Sequence, residues 1–264
     1  MTTRRRLLQA SAAAGTALGL GRHARAQQRP RTYVLIHGAW HGGWCWRKVV
    51  PRLAAAGHRV LAPSLPGLAE RADLLSAAVG LDTHIDDVVT LLEREDLRDV
   101  VLVGHSYGGL VITGVADRAA SRLAHLAYLD AVIVNSGEAW SATHSPALAA
   151  TWARLAAPSG GISVPPPDAG AFGIARTDDR AWVNRQLTPH PYRTYTQPLR
   201  LTRPPGAGLR KTHIACRGPG ALSAAARRVR IDEAAGWSTR AIDAAHDAMV
   251  TEPARLAALL LSLA

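Results

Sequence analysis

The segment Val100-Val-Leu-Val-Gly-His-Ser-Tyr-Gly-Gly-Leu110 joins a run of aliphatic residues to a helical pattern through a serine that is flanked by glycines. The aliphatic run predicts a buried strand, and residues 110–117 predict a helix directly after it. Gly104 and Gly108 lack the Cβ atoms that would collide in a sharp strand-to-helix turn, so the Ser106 hydroxyl can project above the sheet. The first N–H groups of the helix would then point toward negative charge that develops beside this hydroxyl. The segment therefore predicts Ser106 as a nucleophile.

Short apolar segments alternate with helical patterns along most of the chain. Strands are predicted at residues 31–37, 58–63, 100–104, 123–129, 211–216 and 237–242, and helices at 46–56, 82–92, 110–117, 222–229 and 254–263. Asp82 and Thr83 are expected to cap the second helix. This alternation predicts an α/β fold, with a mostly parallel sheet and helices on both of its faces. The 264 residues and the 48% hydrophobic composition are enough for a single domain.

Residues 132–208 interrupt the alternation with many prolines and several tryptophans. Linkers rarely contain so many aromatic residues, so this segment is predicted to be a small cap inserted into the domain. Most of its aromatic side chains are expected to pack the cap onto the sheet. Trp140 and Trp152 are candidates for lining a substrate pocket.

Residues 1–26 have the organisation of a cleaved export signal. Arginines 4–6 begin a basic segment, residues 10–20 are apolar and small, and Ala24-Arg-Ala26 fits a cleavage site. Paired arginines followed by leucines are typical of the twin-arginine type. The apolar run is too short for a stable membrane anchor. The sequence therefore predicts export by the twin-arginine machinery, cleavage near Ala26, and a periplasmic or secreted domain formed by residues 27–264.

The formal net charge of +11 does not indicate nucleic-acid binding. Five of the basic residues belong to the export signal, and the others are spread over the chain without an aromatic–basic module. Cys45 and Cys216 have no zinc-ligand spacing, and buried thiols are favoured over a disulfide between them. Gly104 and Ser106 lack the Gly-x-Gly-x-x-Gly spacing of a dinucleotide loop. We therefore expect no nucleic-acid partner, no metal and no cofactor.

A serine hydroxyl needs a base within hydrogen-bond reach before it can act as a nucleophile at neutral pH. His246 follows the last predicted strand, and the carboxyl ends of parallel strands lie together at one edge of a sheet. We therefore predict His246 as the general base. His105 is adjacent to Ser106 but is expected to point away from it.

Acyl transfer also needs hydrogen-bond donors for the oxyanion of its transition state. A turn that contains a glycine follows the first predicted strand, at Gly38 and Ala39. The N–H groups of Ala39 and Tyr107 are the predicted donors. His37 and His41 are candidates for shaping this loop or the entrance beside it, and His37 and Gly38 are candidates for lining the substrate pocket.

Four motifs of the chain are His37-Gly-Ala-Trp-His-Gly-Gly-Trp-Cys-Trp-Arg-Lys-Val49, Ala56-Gly-His-Arg-Val60, Leu81-Asp-Thr-His-Ile-Asp-Asp87 and Val103-Gly-His-Ser-Tyr-Gly-Gly109. Together they resemble one subgroup of the α/β-hydrolase fold superfamily, which contains plant methyl esterases, hydroxynitrile lyases and bacterial esterases. The resemblance implies an α/β-hydrolase fold and a cofactor-free enzyme with a Ser–His–acid triad. It implies Ser106 as nucleophile and His246 as base. The same resemblance implies Ala39 and Tyr107 as oxyanion donors.

Two positions distinguish the chain from the hydroxynitrile lyases of this family. The lyases have threonine at the position of Gly38 and lysine at the position of Asp247. That lysine supplies positive charge for the departing cyanide, whereas an aspartate would oppose it. The resemblance therefore favours hydrolysis of small carboxylic esters through an acyl-enzyme on Ser106, and it leaves hydroxynitrile lyase as the alternative.

The acid that would orient His246 is left open by the sequence. The family usually places it after the strand equivalent to residues 211–216, but Arg217-Gly-Pro-Gly-Ala-Leu222 contains no carboxylate. Asp130 closes the strand after the nucleophile helix and is the best candidate, although a structural aspartate that binds backbone N–H groups would fit there equally well. Without an acid, the chain could be a degenerate hydrolase that binds a small ligand without turnover. The weaker candidates for the acid are Asp232, Asp243 and Asp247.

Overall fold

A computed structural model of the protein describes residues 29–229 and 231–263, so the predicted export signal lies outside the described residues. The main sheet contains six parallel strands in the order β2-β1-β3-β4-β7-β8. The strands are β1 (Thr32–Ile36), β2 (Arg59–Leu61), β3 (Val100–His105), β4 (Leu123–Leu129), β5 (Ser163–Val164), β6 (His190–Pro191), β7 (Arg210–Cys216) and β8 (Trp237–Ile242). The α-helices are α1 (Val50–Ala55), α2 (Leu81–Arg94), α3 (Gly108–Arg118), α4 (Pro146–Ala156), α5 (Thr177–Gln186), α6 (Arg193–Thr196), α7 (Ala248–Thr251) and α8 (Pro253–Leu261). Among the described residues, no helix has the length and apolar character needed to cross a membrane.

Alternating side chains of the strands place helices on both faces of this sheet. In β1, Val34 and Ile36 belong to the core that includes α2 and α3, whereas Tyr33 and Leu35 belong to the core that includes α1 and α8. All four side chains are fully buried. A parallel strand that is apolar on both faces requires a helical layer on each side. The predicted α/β fold, with a mostly parallel sheet between two helical layers, is confirmed.

The carboxyl ends of β1 and β3 form the edge of the sheet where the predicted functional residues meet. β1 pairs with β2 on one side and with β3 on the other, so the strand order reverses at this point. In parallel α/β sheets a crevice opens at such a reversal. The register sets Ile36 opposite Gly104, so the loop after β1 lies beside the turn after β3.

Helices α3 and α8 begin at Gly108 and Pro253, within two residues of the predicted starts, whereas the starts of α1 and α2 differ from the prediction in ways that have a local cause. Residues 46–56 do not form one helix, because a 3-10 turn at Gly43–Trp46 precedes α1. Pro51 lies in the first turn of α1, where its missing N–H costs no hydrogen bond. Helix α2 begins ahead of the predicted caps, and the Gly80 N–H donates to Thr83 Oγ1 (3.1 Å).

The helix predicted at residues 222–229 is wrong. This segment forms a 3-10 turn at Ala224–Ala226 and is bound to the loop after β4. The Ile133 N–H donates to the Ala226 carbonyl (3.1 Å), and the Arg228 N–H donates to the Ile133 carbonyl (2.8 Å). Backbone groups that bind another segment in this way are not available for the i to i−4 bonds of a helix.

Residues 132–208 lie between β4 and β7, and they contain α4, α5, α6 and the antiparallel pair β5–β6. Within this segment Trp152 stacks on Tyr195, with ring centroids 4.3 Å apart. The indole N–H of Trp40, in the loop after β1, donates to the Val164 carbonyl (3.1 Å). The segment therefore contacts the loop at the carboxyl end of β1.

Cys45 and Cys216 are both free and buried, which agrees with the buried thiols that the sequence favours. Burial raises the pKa of the Cys45 thiol well above its usual range. A protonated thiol is a poor nucleophile, so this side chain acts as a small apolar group in the core.

Candidate active site

Ser106 occupies a strained turn between β3 and α3. Its φ of +53° lies in the left-handed region, which residues with a side chain rarely adopt. The Ser106 N–H donates to the Leu129 carbonyl at the end of β4 (3.1 Å), which holds the turn. A Cβ atom at Gly104 would lie 2.6 Å from the Gly108 carbonyl oxygen, and one at Gly108 would lie 2.8 Å from the His37 carbonyl oxygen. Both glycines are therefore needed for the turn that presents the serine.

His246 lies in the loop after β8 and is hydrogen bonded to Asp130, which follows β4. His246 Nδ1 lies 2.6 Å from Asp130 Oδ2, and both side chains are buried. The same carboxylate oxygen accepts the Leu222 N–H (2.9 Å), which fixes its orientation. Because an ionised carboxylate accepts the proton on Nδ1, Nε2 keeps its lone pair. The contact therefore favours the tautomer that a general base needs.

The other carboxylates suggested by the sequence have different surroundings. Asp232 is exposed and accepts the Ala234 N–H at the start of a 3-10 turn (3.0 Å). Asp243 is also exposed. Asp247 is buried, and its Oδ2 lies 3.0 Å from His41 Nε2. Of the four candidate acids, Asp130 is the one that hydrogen bonds to the His246 ring.

The backbone of His246 is joined to the turn that carries Ser106. The His246 N–H donates to the Pro219 carbonyl (3.1 Å), and the His246 carbonyl accepts the Nε2–H of His105 (3.0 Å). Burial, together with the nearby His246, lowers the pKa of His105 well below its usual value. Among the residues that the structure describes, the Ser106 hydroxyl makes no hydrogen bond. Catalytic hydrogen bonds of this kind are often long until a substrate is bound.

The N–H groups of Ala39 and Tyr107 are available to an oxyanion. Within residues 29–229 and 231–263, neither group donates to a protein acceptor. The loop after β1 lies close to Ser106, because a Cβ atom at Gly38 would lie only 2.9 Å from Ser106 Cβ. The threonine that the resemblance associates with lyases would therefore require a shift of one of these two segments.

His37 lies beneath this loop with both ring nitrogens bonded to the backbone. Its Nδ1–H donates to the Gly38 carbonyl (2.8 Å), and its Nε2 accepts the Leu65 N–H (3.0 Å). Burial lowers the pKa of His37 to about 3, so the ring is neutral, as these two bonds require. Through these two bonds the fully buried His37 side chain joins the loop after β1 to the backbone at Leu65.

The two tryptophans proposed for a substrate pocket pack against residues of the site. The Trp140 ring lies 5.4 Å from the Tyr107 ring, and the Trp152 ring lies 5.3 Å from the Trp40 ring. Trp140 is 5% exposed and Trp152 is 9% exposed, so most of their surface is already used in packing. The structure thus brings both rings to the edge of the sheet that carries the turn of Ser106.

Phe172, His41 and Asp247 are buried at the same edge. The sequence predicts a role for His41 in shaping the oxyanion loop or entrance and offers Asp247 as a weaker candidate for the acid, but it does not single out Phe172. The Phe172 ring lies 6.2 Å from the His246 ring and 5.0 Å from the His41 ring. Phe172 is the one phenylalanine of the chain, His41 lies in the motif of residues 37–49, and Asp247 follows His246 directly. Each of these features draws attention to one residue. The contact between His41 and Asp247 could not be predicted from a local sequence pattern, because 206 positions separate the two residues.

Possible metal ligands within the described ranges come together at His105, His246 and Asp247. Their ligand atoms lie within 4.8 Å of one another. His105 Nε2 and His246 Nδ1 are bonded to protein oxygen atoms, so an ion could use only the second nitrogen of each ring without breaking those bonds. An ion bound in this way would occupy the lone pair on His246 Nε2, which His246 would need in order to act as a base.

This arrangement is suited to acyl transfer. A serine on a strained turn, a buried histidine oriented by a carboxylate, and two N–H groups without an acceptor in the described part of the chain are the parts that nucleophilic catalysis at a carbonyl carbon requires. The residues come from the ends of β1, β3, β4 and β8, which meet at one edge of the sheet.

Known proteins resemble this chain over most of its length. The model of a family described as "Alpha/beta hydrolase family" matches residues 33–259. The "Carbendazim hydrolyzing esterase" of Nocardioides sp. (strain SG-4G) is 40% identical over 242 residues, which cover 88% of this chain and 98% of that protein. "Methylesterase 3" of Arabidopsis thaliana is 31% identical over 140 residues, which cover 49% of this chain and 47% of that protein.

A solved structure, described as an extracellular alpha/beta-hydrolase from a Paenibacillus species, has a TM-score of 0.75 at 22% sequence identity. The match covers 88% of this chain and 98% of that chain, and at this identity it supports the fold. The family match spans the turn of Ser106 and the loop of His246. The chain therefore belongs to the alpha/beta hydrolase family.

Proposed function

We propose that the protein is a serine carboxylesterase that cleaves small neutral esters. The observation that carries the proposal is the buried pair of His246 Nδ1 and Asp130 Oδ2, 2.6 Å apart, next to the strained turn of Ser106. Asp130 would orient the base, and the N–H groups of Ala39 and Tyr107 would bind the oxyanion.

In the proposed mechanism, Ser106 Oγ attacks the ester carbonyl carbon while its proton passes to His246 Nε2. The two N–H groups stabilise the negative charge on the carbonyl oxygen of the tetrahedral intermediate. Collapse of this intermediate breaks the bond to the alcohol, which takes the proton from His246 and leaves. A water molecule then attacks the acyl-enzyme with His246 again as base, and the carboxylic acid and free Ser106 are formed.

The surroundings of the site support a neutral substrate with an aromatic group. Trp40, Trp140, Trp152 and Phe172 surround the edge where the nucleophile lies, and aromatic rings favour flat apolar ligands. The names of two relatives, a carbendazim hydrolyzing esterase and a methylesterase, support an ester as the substrate. We propose carbendazim and methyl esters of aromatic acids as the first substrates to test.

The test is a turnover assay of the purified protein with carbendazim, aromatic methyl esters, p-nitrophenyl acetate and mandelonitrile. We expect turnover of at least one ester and no cyanide release from mandelonitrile. Rapid mixing with p-nitrophenyl acetate should give a burst of one nitrophenol per active site when deacylation is slow. Cyanide release without ester hydrolysis would assign the lyase reaction instead. Saturable binding of the esters with no turnover would assign a degenerate hydrolase.

We further propose that residues 1–26 direct export through the twin-arginine machinery and that the enzyme acts in the periplasm or outside the cell. The support is the order of basic, apolar and Ala-x-Ala segments in the sequence. Replacing Arg4 and Arg5 together by lysine should leave full-length protein in the cytoplasm, whereas the natural chain should be recovered outside with Gln27 as its first residue. Equal processing of both chains would contradict this route.

A further inference from the structure

A buried histidine connects the oxyanion loop to the loop of the proposed base. His41 Nδ1 lies 2.8 Å from the Ala39 carbonyl oxygen, and His41 Nε2 lies 3.0 Å from Asp247 Oδ2. Ala39 would supply an oxyanion donor, and Asp247 directly follows His246 in the chain. The His41 and Asp247 side chains are 1% and 0% exposed. The ring of His41 therefore links the loop of Ala39 to the loop of His246. The proposed reaction needs these two loops at a fixed distance from each other.

Both bonds require the ring of His41 to donate. A carbonyl oxygen and an ionised carboxylate are acceptors, so both His41 nitrogens must bear a proton. Burial alone would lower the pKa of His41, but the adjacent Asp247 carboxylate outweighs burial and raises it. Burial would likewise raise the pKa of Asp247, but the adjacent His41 lowers it. The pair is thus an imidazolium and a carboxylate, with no net charge.

The other titratable groups around the pair do not supply a competing charge. Burial lowers the pKa of His37 to about 3, and it lowers the pKa values of His105 and His190 well below their usual range. Burial raises the pKa values of the Cys45 and Cys216 thiols, both of which lie near Asp247, so both thiols are neutral. Within the described residues, the remaining titratable neighbour of Asp247 is His246, the proposed base. The charge of Asp247 is therefore balanced by His41.

The turn of Ser106 also contacts the loop of His246 and Asp247. His105 Nε2 donates to the His246 carbonyl (3.0 Å) and lies 3.8 Å from Asp247 Oδ1. Because His105 precedes Ser106, the nucleophile turn is joined to the base loop, while His41 joins the base loop to the oxyanion loop. A displacement of about 1 Å between such groups is enough to lower a rate on the order of 100-fold.

We propose that His41 and Asp247 are positioning residues, which hold the Ala39 N–H and the His246 ring at a fixed separation through the two hydrogen bonds of one doubly protonated imidazole. This role rests on the proposed function. It predicts that the pair affects the stabilisation of the oxyanion more than the binding of the ground-state ester.

His41→Gln is the decisive variant, because a glutamine amide can still reach Asp247 but cannot also bond to the Ala39 carbonyl. We expect kcat per active site to fall about 10- to 100-fold with KM within about threefold, since the lost contact orients a transition-state donor. Affinity for a trifluoromethyl ketone, which forms an oxyanion on the serine, should fall by a similar factor. Active sites are counted by titration with a fluorophosphonate, so that misfolded protein does not contribute to kcat.

Two further variants separate positioning from general stability. Asp247→Asn can donate an amide N–H to a neutral His41, which keeps its bond to Ala39, so most of kcat should be retained. His125→Gln is the matched control, because His125 is a buried histidine that bonds to Thr212 Oγ1 (2.8 Å) near the amino ends of β4 and β7. We expect His125→Gln to lower the melting temperature and to leave kcat per titrated site unchanged.

The charge state of His41 is tested independently of activity by nitrogen-15 NMR of histidine-labelled protein. In the natural chain both His41 ring nitrogens should remain protonated well above the ordinary histidine pKa of about 6.5, and this signature should disappear in Asp247→Asn. A singly protonated His41 in the natural chain, or an unchanged kcat in His41→Gln, would overturn the inference. If the natural protein hydrolyses no ester but shows the signature, the proposed function fails while the hydrogen-bonded link stands.

Discussion

Replacing Ser106 by alanine is expected to lower kcat for ester hydrolysis by about 10⁶-fold, because the acyl-enzyme can no longer form. The remaining rate would come from the attack of water on an ester that is bound by the oxyanion donors. This residual rate should still exceed the rate of the reaction in solution. The measurement is the initial rate with an activated ester, together with mass spectrometry after exposure to a fluorophosphonate. The natural protein should gain one phosphonyl group, on the peptide that contains Ser106, and the variant should gain none.

The same variant should fold normally. Within the described ranges the Ser106 hydroxyl makes no hydrogen bond, so its removal leaves no buried group without a partner. The matched control is Ser238→Ala on β8, because Ser238 Oγ bonds to Thr212 Oγ1 (2.9 Å) near the amino ends of the strands. Ser238→Ala should keep both hydrolysis and labelling. Full labelling of Ser106→Ala would show that another residue is the nucleophile.

The parts of this fold that the sequence predicts well are those in which the local pattern and the tertiary contacts agree. The strands at 123–129 and 237–242 lie where their apolar patterns place them, and the glycine pair around Ser106 marks the turn of positive φ. The helix predicted at 222–229 is wrong because there the local pattern and the tertiary contacts disagree. Its small residues suit a helix, but its backbone is bound to the loop after β4, and only the folded chain brings that loop near.

The contacts within the site are harder to predict because they join distant positions. The sequence places His246 and Asp130 at the carboxyl ends of their strands, but 116 residues separate them. Their contact depends on the Leu222 N–H, which binds the Asp130 carboxylate, and on the Pro219 carbonyl, which binds the His246 N–H. Both groups lie in the loop after β7, where the family usually places its acid, and that loop here supplies backbone contacts to an acid from β4.

Replacing Asp130 by asparagine is therefore the test that separates a catalytic acid from a structural aspartate. We expect kcat to fall by about 10⁴-fold with little change in KM. An asparagine that donates its amide N–H to His246 Nδ1 would leave the ring proton on Nε2, so the base could not accept the proton of Ser106. The measurement is kcat and KM for the best ester, with active sites counted by fluorophosphonate titration.

A purely structural Asp130 would give a different result. An asparagine whose oxygen takes the place of Oδ2 would accept both the Leu222 N–H and the Nδ1–H of His246, so the loop after β7 would keep its place and the melting temperature would change little. The matched controls are Asp232→Asn and Asp243→Asn, because both carboxylates are exposed and neither bonds to His246. These controls should keep kcat within about twofold of the natural protein, as surface substitutions away from the site usually do. If Asp130→Asn also keeps kcat within about tenfold, then Asp130 is a structural residue, and His246 would act as base with orientation from its backbone contacts alone.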